Sequence, residues 1–167
     1  RERIAVDPDS EPDDLFARRG WEGIGAEIMG AGKFGPPGWQ DDPDWTGWWG
    51  TNPPFHSPVF VLTHQPRVDL AMEGGTTFHF VDSAPHDVLR LAIDAADGLD
   101  VRLGGGPSSI REFIAAGLVD HLHVAVVPIV LGRGVSLWQG LEGFQDEYQT
   151  ISQTTPSGVT HITFTRG

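Results

Sequence analysis

Beyond Pro58 the apolar and polar positions fall into regular patterns; before it they do not. Pro58-Val59-Phe60-Val61-Leu62-Thr63 is an unbroken apolar run, which predicts a strand buried on both faces. A second strand is expected at Thr76 to Val81. From Ala84 to Ala96, the residues Val88, Leu89, Leu91, Ala92 and Ile93 recur at three- and four-residue spacing, which predicts an amphipathic helix stopped by Gly98. Asp100 to Leu103 reads as a short strand, and Pro107 to Ala116 as a helix ended by Gly117. Asp120 to Ile129 is a long β-branched strand. Tyr148 to Thr155 and Val159 to Thr165 alternate around Pro156-Ser157-Gly158, which predicts a C-terminal hairpin. Strands interleaved with helices make an α/β domain with a mainly parallel sheet, and the hairpin adds antiparallel pairs at one edge.

The earlier part of the chain follows other rules. Residues 7–14 are rich in Pro and Asp and read as a loop, with Asp13-Asp14 capping a short helix that runs to Gly20 and carries Leu15 and Phe16 on one face. Ala26 to Met29 is a strand closed by Gly30. Residues 35–57 hold so many Gly and Pro that neither a long helix nor a central strand fits. Yet Trp39, Trp45, Trp48 and Trp49 lie in that stretch. A loop this aromatic either packs on itself or lines a pocket.

Length and composition narrow the class. At 167 residues the chain is expected to form one domain over 1–167 and to bury a core without staples. The absence of Cys removes disulfides, thiolate metal sites and Cys nucleophiles together. No apolar run reaches the ~18 residues of a bilayer span, and Arg1 to Asp7 lack the apolar stretch of a signal peptide. A cytoplasmic protein with no membrane partner is the expectation. With 11 Lys and Arg against 23 Asp and Glu, the formal charge is -12, opposite to the basic footprint that nucleic acid requires. The acidic stretches Asp7 to Asp14 and Asp41 to Asp44 read as solvated loops. An anionic ligand would have to be held by local donors, against the overall field.

One segment offers such donors. Leu103 leads into Gly104-Gly105-Gly106, and Pro107-Ser108-Ser109-Ile110 opens a helix. Glycines let the backbone approach a phosphate, Pro107 suits the first helical position, and the helix dipole with its free N–H groups faces the ligand. A tight strand-to-helix turn without a ligand would look the same. His121 and His123 lie two apart on a strand and share a face, so they are either two legs of a metal site or ordinary strand residues. No third ligand stands near them, and no metal is expected. Neither G-x-S-x-G nor H-E-x-x-H occurs.

Taken in order, several segments resemble one family. They are Gly25-Ala26-Glu27-Ile28-Met29-Gly30, Phe60-Val61-Leu62-Thr63-His64, Leu103-Gly104-Gly105-Gly106, Leu118 to Val124, and Pro128-Ile129-Val130-Leu131-Gly132-Arg133-Gly134. The chain resembles the dihydrofolate-reductase-like reductases of the riboflavin-biosynthesis type (RibD C-terminal domain) over residues 22–142. The resemblance implies a three-layer α/β/α domain with a central, mostly parallel sheet, usually a homodimer. It implies NADPH as hydride donor to a pyrimidine- or pterin-like small molecule. The family's founding reaction reduces a ribosylamino-pyrimidine to its ribitylamino form.

The same resemblance implies roles for individual residues. Gly104, Gly105, Gly106, Pro107, Ser108 and Ser109 match the diphosphate-binding turn, and Thr63 and His64 match strand-end positions on the adenosine side. Gly30 opens the motif whose following Arg commonly binds cofactor phosphate. Here that residue is Ala31, and Lys33 is the nearest cation. Bidentate phosphate recognition is thereby lost, which makes NADH possible in place of NADPH. Leu131, Gly132, Arg133 and Gly134 are the expected substrate contacts, with Trp48 and Trp49, beside Trp45, closing over the ring system. Arg133 would steer an anionic substrate or serve as a surface residue. A second departure lies at the start, where the family carries Ser-x-Asp-Gly after its first strand. Here Ile4-Ala5-Val6 runs directly into Asp7-Pro8-Asp9-Ser10. Residues are expected to be missing between Val6 and Asp7, as a segment outside this sequence or as a true deletion. An intact mass well above 18.1 kDa would mark the former. The alternative function is a non-catalytic, homodimeric nucleotide- or pterin-binding domain. In either case the β-branched run Val124 to Val127 is the expected dimer interface. A purely structural domain would bind no nucleotide.

Overall fold

Among residues 12–167, which the computed structural model describes, the strands form two sheets. The expected strand at Ile4 to Val6 and the junction at Asp7 lie outside these residues. The chain divides into two compact units. The larger comprises Gly23–Leu118 and Val135–Glu142. The smaller comprises the described residues up to Glu22, with Val119–Gly134 and Gly143–Gly167.

In the larger unit, β1 (Ile24–Gly30), β2 (Pro58–Leu62), β4 (Thr77–Val81) and β5 (Asp100–Gly104) run parallel. The two-residue β3 (Leu70–Ala71) pairs antiparallel with β4, and the sheet order is β3-β4-β2-β1-β5. The central place of β2 explains its unbroken apolar run: Val59, Phe60 and Val61 are all buried. Helix α3 (Pro85–Ala95) buries Val88 and Ala92 and packs on β1, β2 and β5. Its apolar stripe is narrower than the sequence pattern implies, since Leu91 and Ile93 face solvent. Helix α4 (Pro107–Ala115) follows β5 and buries Phe113 and Ile114.

The aromatic segment between β1 and β2 packs on the sheet. It begins with the short helix α2 (Ala31–Phe34) and continues through a 3-10 turn at Trp39–Asp41. Phe34 and Trp39 join Met29, Val59, Val61, Phe78 and Phe80 in the core, and Trp45, Trp49 and Phe55 cover that cluster. The indole N–H groups still find partners: Trp39 Nε1 donates to the Ala31 carbonyl at 3.1 Å and Trp45 Nε1 to the Phe34 carbonyl at 3.2 Å. The Arg67 guanidinium lies 4.5 Å from the Phe80 ring centre and donates to the Trp45 carbonyl at 2.5 Å.

In the smaller unit, β6 (His121–Val126), β8 (Thr160–Arg166) and β7 (Tyr148–Thr154) form an antiparallel sheet in that order, and α1 (Pro12–Arg19) precedes them in the chain. The expected C-terminal hairpin is present, but it pairs with β6 instead of extending the parallel sheet: Val124 lies opposite Ile162 and His121 opposite Thr165. Between β6 and β7 the chain passes through a 3-10 turn at Phe144–Glu147, and the last strand, β8, inserts between them and runs antiparallel to both. Strand β6 also stops at Val126, short of the expected Ile129, because Pro128 has no N–H for the ladder. Among the described residues, no helix is long and apolar enough to cross a membrane.

Candidate functional site

Adjacent parallel strands bring two distant glycine segments together. Met29 on β1 pairs with Gly104 on β5, so the chain leaves both strands at the same edge of the sheet. Gly105 then takes φ +138, a conformation that favours glycine, and a Cβ there would stand 3.2 Å from the Gly30 nitrogen. Gly106 precedes α4, Pro107 occupies its start, and no side chain caps it among the described residues. The N–H groups of the first helical turn therefore have no partner within the helix. An open cavity of about 590 Å³ lies here, lined by Gly30, Ala31, Gly32 and Lys33 from one segment and Gly105, Gly106, Ser108 and Ser109 from the other.

Lys33 does not simply extend into that space. Its Nζ lies 2.5 Å from Oε1 of Glu27, whose side chain is 1% exposed in the interior of β1. The other carboxylate oxygen of Glu27 accepts from Arg102 on β5, with Nε at 2.8 Å and Nη2 beside it. One buried carboxylate thus holds two cations, which satisfies a charge that would be costly alone. Gly104 makes room for the pair, since a Cβ there would come 2.9 Å from Glu27 Oε1 and strike the Lys33 ammonium. Glu27 and Arg102 were not singled out from the sequence. The available signal was a carboxylate inside an otherwise apolar strand; its partner could be found only from the β1–β5 register.

A second cavity, of about 460 Å³, adjoins the first and shares Gly30, Ala31 and Ser109 with it. Its far side is formed by Thr63, His64 and Gln65 after β2, and by Val81, Asp82 and Ser83 at the end of β4. Glu112 on α4 and Gln40 complete it. Thr63 is fixed by its N–H donating to the Val81 carbonyl at 2.9 Å, and its hydroxyl accepts from the Gln65 N–H at 3.2 Å. His64 Nδ1 lies 3.1 Å from Asp82 Oδ1, both exposed.

The residues expected to hold a cofactor therefore gather in the larger unit. Gly30, Lys33, Gly105, Gly106, Ser108 and Ser109 line the first cavity, and Thr63 and His64 line the second. Gly104 lies beneath Lys33, and Pro107 starts α4. The expected substrate contacts are placed differently. Trp49 packs on the core, 4.8 Å from Phe55 and 5.9 Å from Phe78. Trp48 is exposed and makes a T-shaped contact with Trp45, their ring centres 4.8 Å apart. Leu131, Gly132, Arg133 and Gly134 form an exposed irregular run in the smaller unit.

The smaller unit carries a polar chain of its own. Nε2 of the buried His161 donates to Asp13 Oδ1 at 2.8 Å, and His161 Nδ1 lies 2.8 Å from His123 Nε2. Phe16 stacks on His161 at 3.9 Å. The Ser157 hydroxyl donates to Asp13 Oδ2 at 2.6 Å. These hydrogen bonds, Ser157 first, hold the Asp13 carboxyl at about 2, and burial pushes the His123 imidazole down. Asp13 thus ties α1 to the sheet of the smaller unit. His121 turns to Thr165 at 3.2 Å. Among the described residues, no group of three His, Cys, Asp or Glu is placed to hold a metal ion.

Known proteins resemble the chain at several levels. Residues 21–161 match the RibD C-terminal domain family. Over 67 residues, 40% of the chain, the sequence is 36% identical to the uncharacterized protein YyaP of Bacillus subtilis (strain 168), and the match spans 36% of that relative's length. A provisionally named riboflavin biosynthesis protein from Shewanella sp. PV-4 shares the fold at a TM-score of 0.61 and 23% identity, covering 97% of this chain and 84% of that one. A pyrimidine reductase-like protein from Corynebacterium diphtheriae gives 0.54 at 16% identity, covering 93% and 80%. At these identities the solved structures speak for the fold.

Proposed function

The chain belongs to the RibD C-terminal domain family, and we propose that it is a reductase that takes a hydride from NADPH or NADH and delivers it to a pyrimidine- or pterin-like small molecule. One observation carries the reading: two glycine segments far apart in sequence meet at one sheet edge, beside an uncapped helix start, and line one cavity. That arrangement suits a dinucleotide diphosphate. Backbone N–H groups of the first turn of α4 and the Ser108 and Ser109 hydroxyls offer donors, and bare backbone at Gly30 and Gly105 permits close approach. The adjoining cavity behind Thr63 and His64 suits the adenosine half. When bound, the nicotinamide supplies the hydride. The chain's part is to hold the dinucleotide at the sheet edge and to orient the acceptor.

Trp48 is the proposed substrate contact within the larger unit. This residue is 57% exposed, which suits stacking of its ring on a planar heterocycle, whereas Trp49, packed against Phe55 and Phe78, supports the loop. A second copy of the chain is the proposed partner, meeting the exposed Val126, Val127, Ile129 and Val130 of the smaller unit.

Single-turnover oxidation tests this function. The protein, loaded with reduced dinucleotide, is mixed with oxidised pterins and with ribosylamino-pyrimidines, and the loss of nicotinamide absorbance is followed. Oxidation with one of these acceptors is expected. Tight dinucleotide binding with no oxidation by any of them would contradict the reductase reading and leave a non-catalytic binder.

A further inference from the structure

The charges that line the adenosine-side cavity bear on which dinucleotide fits. Asp82 from the end of β4 and Glu112 from α4 both line it, and the basic residues lining the two cavities are Lys33 and His64. Each already faces a carboxylate: Lys33 faces Glu27 at 2.5 Å, and His64 faces Asp82 at 3.1 Å. Ala31 lines both cavities with a methyl group. The remaining polar side chains of the second cavity, Gln40, Thr63, Gln65, Ser83 and Ser109, are neutral.

A phosphate monoester carries about -1.5 to -2 charges at neutral pH. Set among two carboxylates, in a chain of net charge -12, it would meet repulsion, with no uncommitted guanidinium or ammonium among the described lining residues to offset it. A ribose diol has the opposite requirement. Its hydroxyls donate, and a carboxylate at the end of a strand is the usual acceptor for the 2′-hydroxyl.

Resting on the reductase reading above, we infer that this cavity selects NADH over NADPH, with Asp82 as the principal discriminating residue and Ala31 as the permissive one. Asp82 accepts from the ribose hydroxyls and repels a 2′-phosphate in the same position. Ala31 withholds the cation that would compensate. Glu112 adds to the repulsion from the α4 side.

The test is equilibrium binding of NADH and NADPH to the whole chain, read by intrinsic Trp fluorescence at constant ionic strength. NADH is expected to bind at least tenfold more tightly. Asp82→Asn is expected to shrink that ratio severalfold by strengthening NADPH binding, and Ala31→Arg to raise NADPH affinity about tenfold. Both positions are at least partly exposed, and circular dichroism confirms that the variants fold. Equal or tighter binding of NADPH by the unmodified chain would overturn this inference and leave the reductase reading standing. A ratio unchanged by Asp82→Asn would overturn the role of Asp82. Failure of the folded protein to bind either dinucleotide would overturn both the inference and the reading beneath it.

Discussion

Glu27 is the residue on which the candidate site is built. It sits inside β1 at 1% exposure, yet it carries a charge and holds Lys33 and Arg102 by its two oxygens. Removing the carboxylate leaves two cations facing a low-dielectric interior. Glu27→Gln should therefore destabilise the protein by ~3 kcal/mol or more, measurable by urea unfolding. A change below ~1 kcal/mol would mean that the trio behaves like a surface ion pair. Asp13 supports a prediction of another kind. Its carboxyl is depressed from 3.8 to about 2 in the fold, so the stability it contributes is present above 3.8 and lost as pH falls through about 2. The His123 imidazole is lowered as well, which favours its neutral form and makes its contribution decline as pH drops below the ordinary histidine range. Both act in the same direction. Amide protection in α1 and β8 should weaken on acidification, and Asp13→Asn should flatten the part of that dependence between about pH 4 and pH 2. An Asp13→Asn profile identical to the parent would show that the tie is idle.

At the scale of elements, sequence pattern and structure agree where local rules dominate. The apolar run at Val59 to Val61 marks β2, the three- and four-residue spacing marks α3, and Gly104 to Ser109 marks the turn into α4. The failures lie where tertiary pairing decides. β3 is two residues long and exists through its pairing with β4, so no periodicity announces it. α2 is a single turn, too short for a helical pattern. Leu91 and Ile93 look like core positions on α3 but lie outside the contact with the sheet. The meeting of Gly30 with Gly105 depends on β1 and β5 being neighbours, which no local pattern announces. The aromatic connection between β1 and β2 depends on Arg67, whose guanidinium bridges ring faces and loop carbonyls. Arg67→Ala is expected to cost about 2 kcal/mol in lost charged hydrogen bonds and to shift Trp emission to the red as Trp39 and Trp45 become wetter. Unchanged emission would show that the aromatic cluster holds the loop alone.

For the whole molecule, two sheets of different kinds share one chain, and the larger unit carries the gathered cofactor residues. The smaller unit leaves Val130 at 98% exposure and Ile129 at 65%. Such a run of exposed apolar side chains is what a surface covered by a second copy would present. Sedimentation should show a dimer that Val130→Glu weakens. A monomer at all concentrations would remove the second copy from the account. Composition excluded cysteine chemistry, and the net charge of -12 argued that any anion must be held by local donors. The glycine turn is where such donors are concentrated.

If this turn holds a nicotinamide dinucleotide, the parent chain and Gly105→Val should part in a fluorescence titration with NADH. Valine cannot readily adopt φ +138, and its side chain would press on the Gly30 backbone. Saturable quenching in the parent, and its loss in a variant that keeps its circular dichroism spectrum, is the predicted result. Equal affinity in the two proteins, or no binding by the parent, would contradict the account.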